Sequence, residues 1–371
     1  MQTHHIDMIM DFQFGSTGKG LLAGYLSKRG DYDTTVCAFG TNAGHTYIDK
    51  SRELHVMTQQ LPTSAVASPT VKKILIGPGA AIHIPTLMDE INKYEKYLKG
   101  KTILIHPHAA VVTDEHQSVE KFRQMGKIGS TTKGVGQAYI QRLQRDPEHM
   151  NVIAGRKREL YPMVATVQEY REALETANSV IVEGSQGFSL SMYHGFYPYV
   201  TSRDVTPWQI AADCGLPFSI APYIHIWGTV RTLPIRVNNR DGTSGPGYDD
   251  QRELEWQELG IEPELTTVTK LPRRIFTFSQ EQITDACWHC SQYWHTNIFL
   301  NFANYLERNG IQDVIQQIET PRPYCLNPPH VKLIGVGPDD SEVLERNNDV
   351  YKPVSLGNTE TSGQVVSTSD R

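Results

Sequence analysis

The segment 6–28, IDMIMDFQFGSTGKGLLAGYLSK, changes its period halfway along. Residues 6–12 are an almost unbroken apolar run, the pattern of a strand covered on both faces. Gly15-Ser16-Thr17-Gly18-Lys19-Gly20 follows, and then Leu21, Leu22, Tyr25 and Leu26 recur at helical spacing over 20–28. A strand that turns through glycines into a helix is the opening unit of an α/β fold. Glycines let backbone N–H groups close on a phosphate, the helix N-terminus favours an anion, and Lys19 adds a cation on a mobile stem.

Working outward, further short β-rich runs at 35–39, 73–76, 102–105, 179–182, 224–230, 274–278, 297–302 and 332–336 predict strands. Helical patterns at 86–98, 115–125, 167–177 and 207–214 lie between them. This alternation predicts a single large α/β domain with a mainly parallel central sheet flanked by helices, over residues 1–353. The stretch 239–250 is rich in Gly and Asp and reads as a surface loop; 354–371 reads as a polar Ser/Thr-rich tail.

The bulk composition narrows the partners. Thirty-five Lys and Arg against 41 acids give a net charge of −6 over 371 residues, which disfavours nucleic acid or an anionic membrane as partner. No apolar run approaches a membrane span, and no signal-peptide pattern opens the chain, so a cytoplasmic location is expected, the host cytoplasm for a viral protein. Five scattered cysteines imply reduced thiols. Cys287 and Cys290 form a CxxC beside His289 and His295, but no second ligand pair accompanies them; an amphipathic helix over 281–293 is the expectation.

The Gly15–Gly20 turn is neither a Walker A loop, which needs four residues before its Gly-Lys pair where this has two, nor a GxGxxG fingerprint. A second cluster, Thr41-Asn42-Ala43-Gly44-His45-Thr46, follows the second strand, at the sheet end where open α/β folds bind ligands. A histidine there can donate to or polarise a phosphoryl oxygen.

These two clusters, in this order, resemble the G-D-E-G-K-G and N-A-G-H-T loops of the adenylosuccinate synthetase family. The resemblance continues through Lys127-Ile128-Gly129-Ser130-Thr131-Thr132-Lys133-Gly134-Val135-Gly136, Glu183-Gly184-Ser185-Gln186-Gly187, the segment His194 to Ser202, Thr267-Val268-Thr269-Lys270-Leu271-Pro272-Arg273-Arg274 and Gly337-Pro338-Asp339. It spans roughly residues 6–340. It implies a ligase in which a nucleoside triphosphate phosphorylates the 6-oxygen of a purine monophosphate and the aspartate amine then displaces phosphate. It also implies a homodimer.

By the same resemblance, Ser16, Lys19, His45 and Gln186 would form the catalytic group. Ser16, Asn42, Ser130, Thr131, Arg145, Gln186, Thr201 and Leu271 would face the acceptor nucleotide, Arg145 from the neighbouring subunit. The triphosphate would meet Ser16, Thr17, Gly18, Lys19, Gly20, Gly44, His45, Thr46, Gln186, Asn304, Gly335 and Gly337. Thr267, Val268, Thr269 and Arg273 would hold aspartate, and Mg2+ would sit at Ser16 and the Gly44 carbonyl.

Three departures from the family pattern are informative. Ser16 replaces an aspartate, the family's general base, and leaves room for a 2-amino group on the purine. Leu271 replaces an arginine near the ribose 2′-hydroxyl, and burying that hydroxyl unpaired costs roughly 1–3 kcal/mol, which a deoxyribose avoids. Asn304 replaces an aspartate that reads guanine, and an amide both donates and accepts, as adenine requires. Together they resemble the phage branch, the 2-aminoadenylosuccinate synthases, and imply dGMP, L-aspartate and ATP or dATP as substrates, on the way to diaminopurine DNA. A conventional enzyme using IMP and GTP, or a non-catalytic homologue, is the alternative. Asp11, or a water on Ser16, is the candidate for the displaced base, and Phe302 either stacks on a base or fills core.

Overall fold

A computed structural model describes residues 5–147, 152–239, 242–266, 270–291, 296–322, 328–347 and 350–353. Its centre is one ten-stranded sheet. In chain order the strands are β1 (His5–Asp11), β2 (Thr34–Cys37), β3 (Lys73–Ile76), β4 (Thr102–Ile105), β5 (Ser179–Gly187), β6 (Ile224–Arg231), β7 (Thr296–Asn301), β8 (His330–Gly335), β9 (Val343–Asn347) and β10 (Val350–Pro353). Their spatial order is β10-β9-β8-β7-β6-β1-β5-β2-β3-β4. β1 through β8 pair in parallel, and β9 and β10 close one edge antiparallel.

The apolar run of β1 has its physical reason in this order. Met8, Ile9 and Met10 are buried because helices cover both faces of a strand that has β5 and β6 as neighbours. One core extends from Ile6 to Val343, with a smaller cluster of Leu233, Ile235, Leu254, Trp256 and Ile275 beneath a three-stranded antiparallel sheet.

That small sheet corrects one expectation. Arg274–Phe276 is a strand, but it pairs antiparallel with Ile235–Arg236 and Glu253–Leu254 instead of joining the central sheet. The helix expected over 86–98 is two, Ile84–Lys93 and Glu95–Leu98. Buried Tyr94 leaves the helical path between them, its hydroxyl accepting from Met57 N–H (2.7 Å) and donating to Met57 carbonyl (3.2 Å). The stretch 239–250 is only partly a surface loop, because Ser244 is buried and takes a bond from the buried Arg236 guanidinium. The segment 281–293 is helical over Gln280–Cys290, and it turns Cys287 and Cys290 into the core. His295 and the tail 354–371 lie outside the described residues.

Candidate active site

β1 ends on Asp11, a carboxylate with no exposure to solvent at all. Such a group is costly unless every lone pair is met. The loop after it supplies the partners: Gln13 N–H at 2.8 Å, Gly15 N–H at 3.3 Å, Thr17 Oγ1 at 2.5 Å and Lys19 Nζ at 3.2 Å. The phosphate loop is thus wrapped around the end of the strand that precedes it. Lys19 is buried and paired, so the expectation of a mobile cation is corrected to one pinned in place. Asp11 is the organiser of the loop, its oxygens already engaged by these donors.

Ser16 stands at the exposed apex with a left-handed backbone (φ 57°). Its carbonyl accepts from Arg231 (3.1 Å). Gly18, at φ 96°, is the N-cap of helix α1 (Lys19–Arg29) and, lacking a side chain, gives that end no side-chain cap. A Cβ on Gly18 would fall 2.1 Å from the amide nitrogen of Asn301, and one on Gly20 would fall 2.7 Å from Thr46 N. These approaches bring the ends of β1 and β7 and the start of the His45–Asp49 strand together. Gly335, at the end of β8, meets the same Asn301 side chain.

His45 opens the hairpin His45–Asp49/Leu54–Thr58. It is buried, edge-on to Phe39 at 4.5 Å between centroids, with Nδ1 3.4 Å from Glu183. Among the described residues its Nε2 has no partner. Burial holds the imidazole below its ordinary range, against the opposing pull of Glu183. Glu183 is itself buried and gathers Thr63 N–H (3.1 Å) and hydroxyl (3.0 Å) and Ser64 N–H (2.8 Å) and hydroxyl (2.5 Å). Three residues on, Gln186 adopts φ 66°, and its buried amide nitrogen also has no acceptor among the described residues. Two buried polar atoms so placed fit a ligand that completes them.

A second lobe carries the residues expected at the acceptor nucleotide. Ser130 and Thr131 are half-buried in the turn before helix Val135–Gln144. Thr41 Oγ1 donates to the Lys133 carbonyl (3.2 Å), which ties this turn to the Asn42–His45 loop. Half-buried Thr201 follows a segment held by Arg236, whose guanidinium donates to the Tyr199 (3.3 Å), Pro246 (3.0 Å) and Ser244 carbonyls and lies 4.3 Å over Phe14. Burial, and Arg274 beside it, pull Arg236 down to about 9.

Thr267, Val268 and Thr269 lie outside the described residues; their flanks do not. Thr266 N–H donates to the Leu271 carbonyl (2.8 Å), and Arg273 N–H donates to the Glu264 carbonyl (2.7 Å), closing the loop at its base. The Arg273 guanidinium is lowered by burial, and Glu264 opposes this. Leu271 is half-buried.

Two expected residues are exposed on this chain. Arg145 is exposed just past helix Val135–Gln144, with φ 52°, and Asn304 is exposed on the turn Ala303–Tyr305. Phe302 is half-buried outside the hydrophobic core, with the Arg231 guanidinium 3.5 Å over its ring and Tyr305 edge-on to it.

Arg231 was not singled out from the sequence, although a charged residue ending an otherwise buried strand is a signal. Its guanidinium, buried completely, joins the Ser16 carbonyl, the Leu233 carbonyl (3.1 Å) and the Glu264 carboxylate, which Tyr305 also holds at 2.8 Å. Glu183 and Asn301 were also unassigned, although the first lies inside Glu183–Gly187 and the second opens the stretch Asn301-Phe302-Ala303-Asn304 that aligns with the family's base-reading motif.

Comparison with known proteins identifies the family. The adenylosuccinate synthetase family model matches residues 8–158 and 147–291. The N6-succino-2-amino-2′-deoxyadenylate synthase of Vibrio phage phiVC8 is 42% identical over 353 residues, covering 93% of this chain and 99% of that protein. A solved structure of the Cyanophage S-2L succinoaminodeoxyadenylate synthetase, bound to dGMP and to dATP as an energy donor, superposes with a TM-score of 0.85 at 36% identity, over 94% of this chain and 97% of that one. Adenylosuccinate synthetase from Plasmodium falciparum shares the fold at a TM-score of 0.69 and 20% identity, over 92% and 100% of the two chains.

Fold, site and relatives define a nucleotide-binding ligase that forms a C–N bond. The chain belongs to the adenylosuccinate synthetase family, and the phage synthases are among its near relatives. Among the described residues no helix is long and apolar enough to cross a membrane.

Proposed function

We propose that this enzyme joins L-aspartate to C6 of dGMP, with ATP or dATP converted to its diphosphate and phosphate, giving N6-succino-2-amino-2′-deoxyadenylate. The observation that carries this reading is Ser16: a short neutral side chain at the exposed apex of the loop, where the family places a carboxylate, with the nearby Asp11 committed to the loop itself. The phage relatives, named for this product, support it.

A purine 6-oxygen is a poor leaving group until it becomes a phosphate ester. In the first step the purine N1 gives up its proton to a water held by Ser16, since the Asp11 oxygens are engaged, as the γ-phosphoryl group passes to the 6-oxygen and the diphosphate leaves. Lys19, oriented by Asp11, and the start of α1 supply positive field around the transferring group. His45 faces the same place through Nε2. With Nδ1–H directed to Glu183, neutral His45 can only accept there; protonated, it donates to a phosphoryl oxygen. In the second step the aspartate amine attacks C6, phosphate leaves from C6 and carries off the amine's spare proton, and Arg273 pairs a substrate carboxylate.

Ser16 Oγ and the Gly44 carbonyl, both on exposed loop residues, are hard oxygen donors suited to Mg2+, which would take its remaining ligands from water and the phosphates. When bound, Mg2+ neutralises phosphate charge. The exposed Arg145 fits a role in a partner's site, and Ile140 (46% exposed) and Leu143 (69% exposed), three apart on the same helix, offer an apolar face for a homodimer.

The test is direct. The protein is incubated with aspartate, Mg2+ and ATP or dATP, and with dGMP, GMP or IMP in turn, following phosphate release and product mass. Turnover with dGMP and a product heavier than dGMP by aspartate less one water is expected. Turnover with IMP alone would refute the acceptor, and nucleotide binding without phosphate release would refute the ligase reaction.

A further inference from the structure

At the end of the sheet opposite the phosphate loop, where β1 and β6 begin, three metal-ligating side chains lie together. Their parallel register sets Asp7 beside His225, so the two side chains project from neighbouring strands on one face. His5 lies two residues before Asp7 and therefore shares that face. The ring nitrogens of His5 and His225 and a carboxylate oxygen of Asp7 all lie within 4.8 Å of one another. His5 Nε2 is 2.9 Å from Asp7 Oδ2, and the two imidazole centroids are 4.8 Å apart.

We propose that His5, Asp7 and His225 form a binding site for Zn2+ or a similar borderline divalent cation, clamping the starts of the two central strands. Two imidazoles and a carboxylate suit such an ion, while Mg2+ prefers all-oxygen sets. A tetrahedral ion with bonds of about 2.0–2.2 Å needs ligand atoms roughly 3.3–3.5 Å apart, which small rotations of the two half-exposed rings supply.

The site is also supported from behind. Trp227 Nε1 donates to Asp7 Oδ1 at 3.1 Å, and the buried Tyr32 hydroxyl donates to Oδ2. A ligand carboxylate held by outer partners is the usual construction of a protein metal site. Both imidazoles reach solvent, which gives the ion an entry path and leaves a fourth position to water. Asp7 and Asp11 are four residues apart along β1, roughly 13 Å, so the cluster is distinct from the nucleotide site.

The intact protein and His225→Ala are dialysed against limiting Zn2+ in millimolar Mg2+, and metal content is measured; Co2+ is titrated in parallel and its visible absorption recorded. One Zn2+ per chain, an intense tetrahedral Co2+ spectrum, and at least a tenfold loss of affinity in His225→Ala with ligase turnover unchanged are expected. Two results each overturn the site: no stoichiometric Zn2+ on the intact protein, or equal binding by the His225→Ala variant, which would assign the metal to the chain's N-terminal residues instead. His225→Gln, similar in size to the original, separates a lost ligand from a lost fold, because it keeps the thermal transition while losing the metal.

Discussion

Asp11→Asn removes one charge and two lone pairs from the centre of the phosphate loop while keeping the side chain's shape. The Oδ1 bonds to Gln13 and Gly15 N–H survive on the amide oxygen. The nitrogen then occupies the place of Oδ2, facing two groups. Thr17 can rotate its hydroxyl to accept, helped by Thr229 Oγ1 at 2.5 Å. Lys19 cannot accept, so a buried ammonium is left against a donor. Removing one partner of a buried ion pair costs roughly 3–5 kcal/mol, and because Thr17 adapts the lower end applies, about 3 kcal/mol. Urea unfolding of the apo protein measures this, and calorimetric titration with ATP should show a matching loss of triphosphate binding. Asp11→Asn/Lys19→Met, which removes the stranded charge as well, should regain at least half the stability and none of the activity. If Asp11→Asn abolishes turnover yet stays within about 0.5 kcal/mol of the wild type, Asp11 belongs to the chemistry, and the argument that it organises the loop is wrong.

Ser16→Asp restores the family carboxylate at the loop apex and should lower kcat/KM for dGMP by at least about tenfold in a phosphate-release assay; an unchanged value would refute the steric account of base selection. Arg231→Met should cost about 3 kcal/mol, since it strands the Glu264 carboxylate, and should raise KM for aspartate more than for ATP; equal changes in both would show that Arg231 does not govern the aspartate loop. His106, mostly buried against Tyr170 and accepting His108 N–H at Nδ1 (3.2 Å), is pulled down to about 4 by burial, with His108 adding to the effect. The unfolded chain therefore binds a proton that the native state refuses. Its contribution is intact above about pH 6.5 and is lost as pH falls toward 4, by up to roughly 3 kcal/mol. His106→Asn should flatten the stability profile in that window, and an unaltered profile would point to other groups.

Much of this was legible in the chain. The parallel strands announced themselves because strands covered on both faces must be apolar throughout, and the glycine turn because Gly18 and Gly20 sit where a Cβ would strike Asn301 and Thr46. The hairpin that carries His45 was harder to see: Leu54 and Val56 alternate with exposed His55 and Met57, a short pattern with no turn signature between its arms. The roles of Arg231, Glu183 and Asn301 are set by neighbours far along the chain. Arg231 meets Ser16 across 215 positions and Glu183 meets Thr63 across 120, and no local pattern encodes either partner. The assignments of Arg145 and Asn304 came from resemblance alone, and in this chain both are exposed.

The placement of β1 at the heart of the sheet has a consequence for how the protein is made. Of the sheet's strands this one is made before the others, yet its neighbours β5 and β6 begin only at residues 179 and 224. At roughly 5–20 residues per second, its apolar edges wait on the order of ten to thirty seconds for the first of them. Nascent chains must be shielded over that interval, and a synthesis halted anywhere before residue 179 leaves an unpaired aggregation-prone strand rather than a smaller working domain.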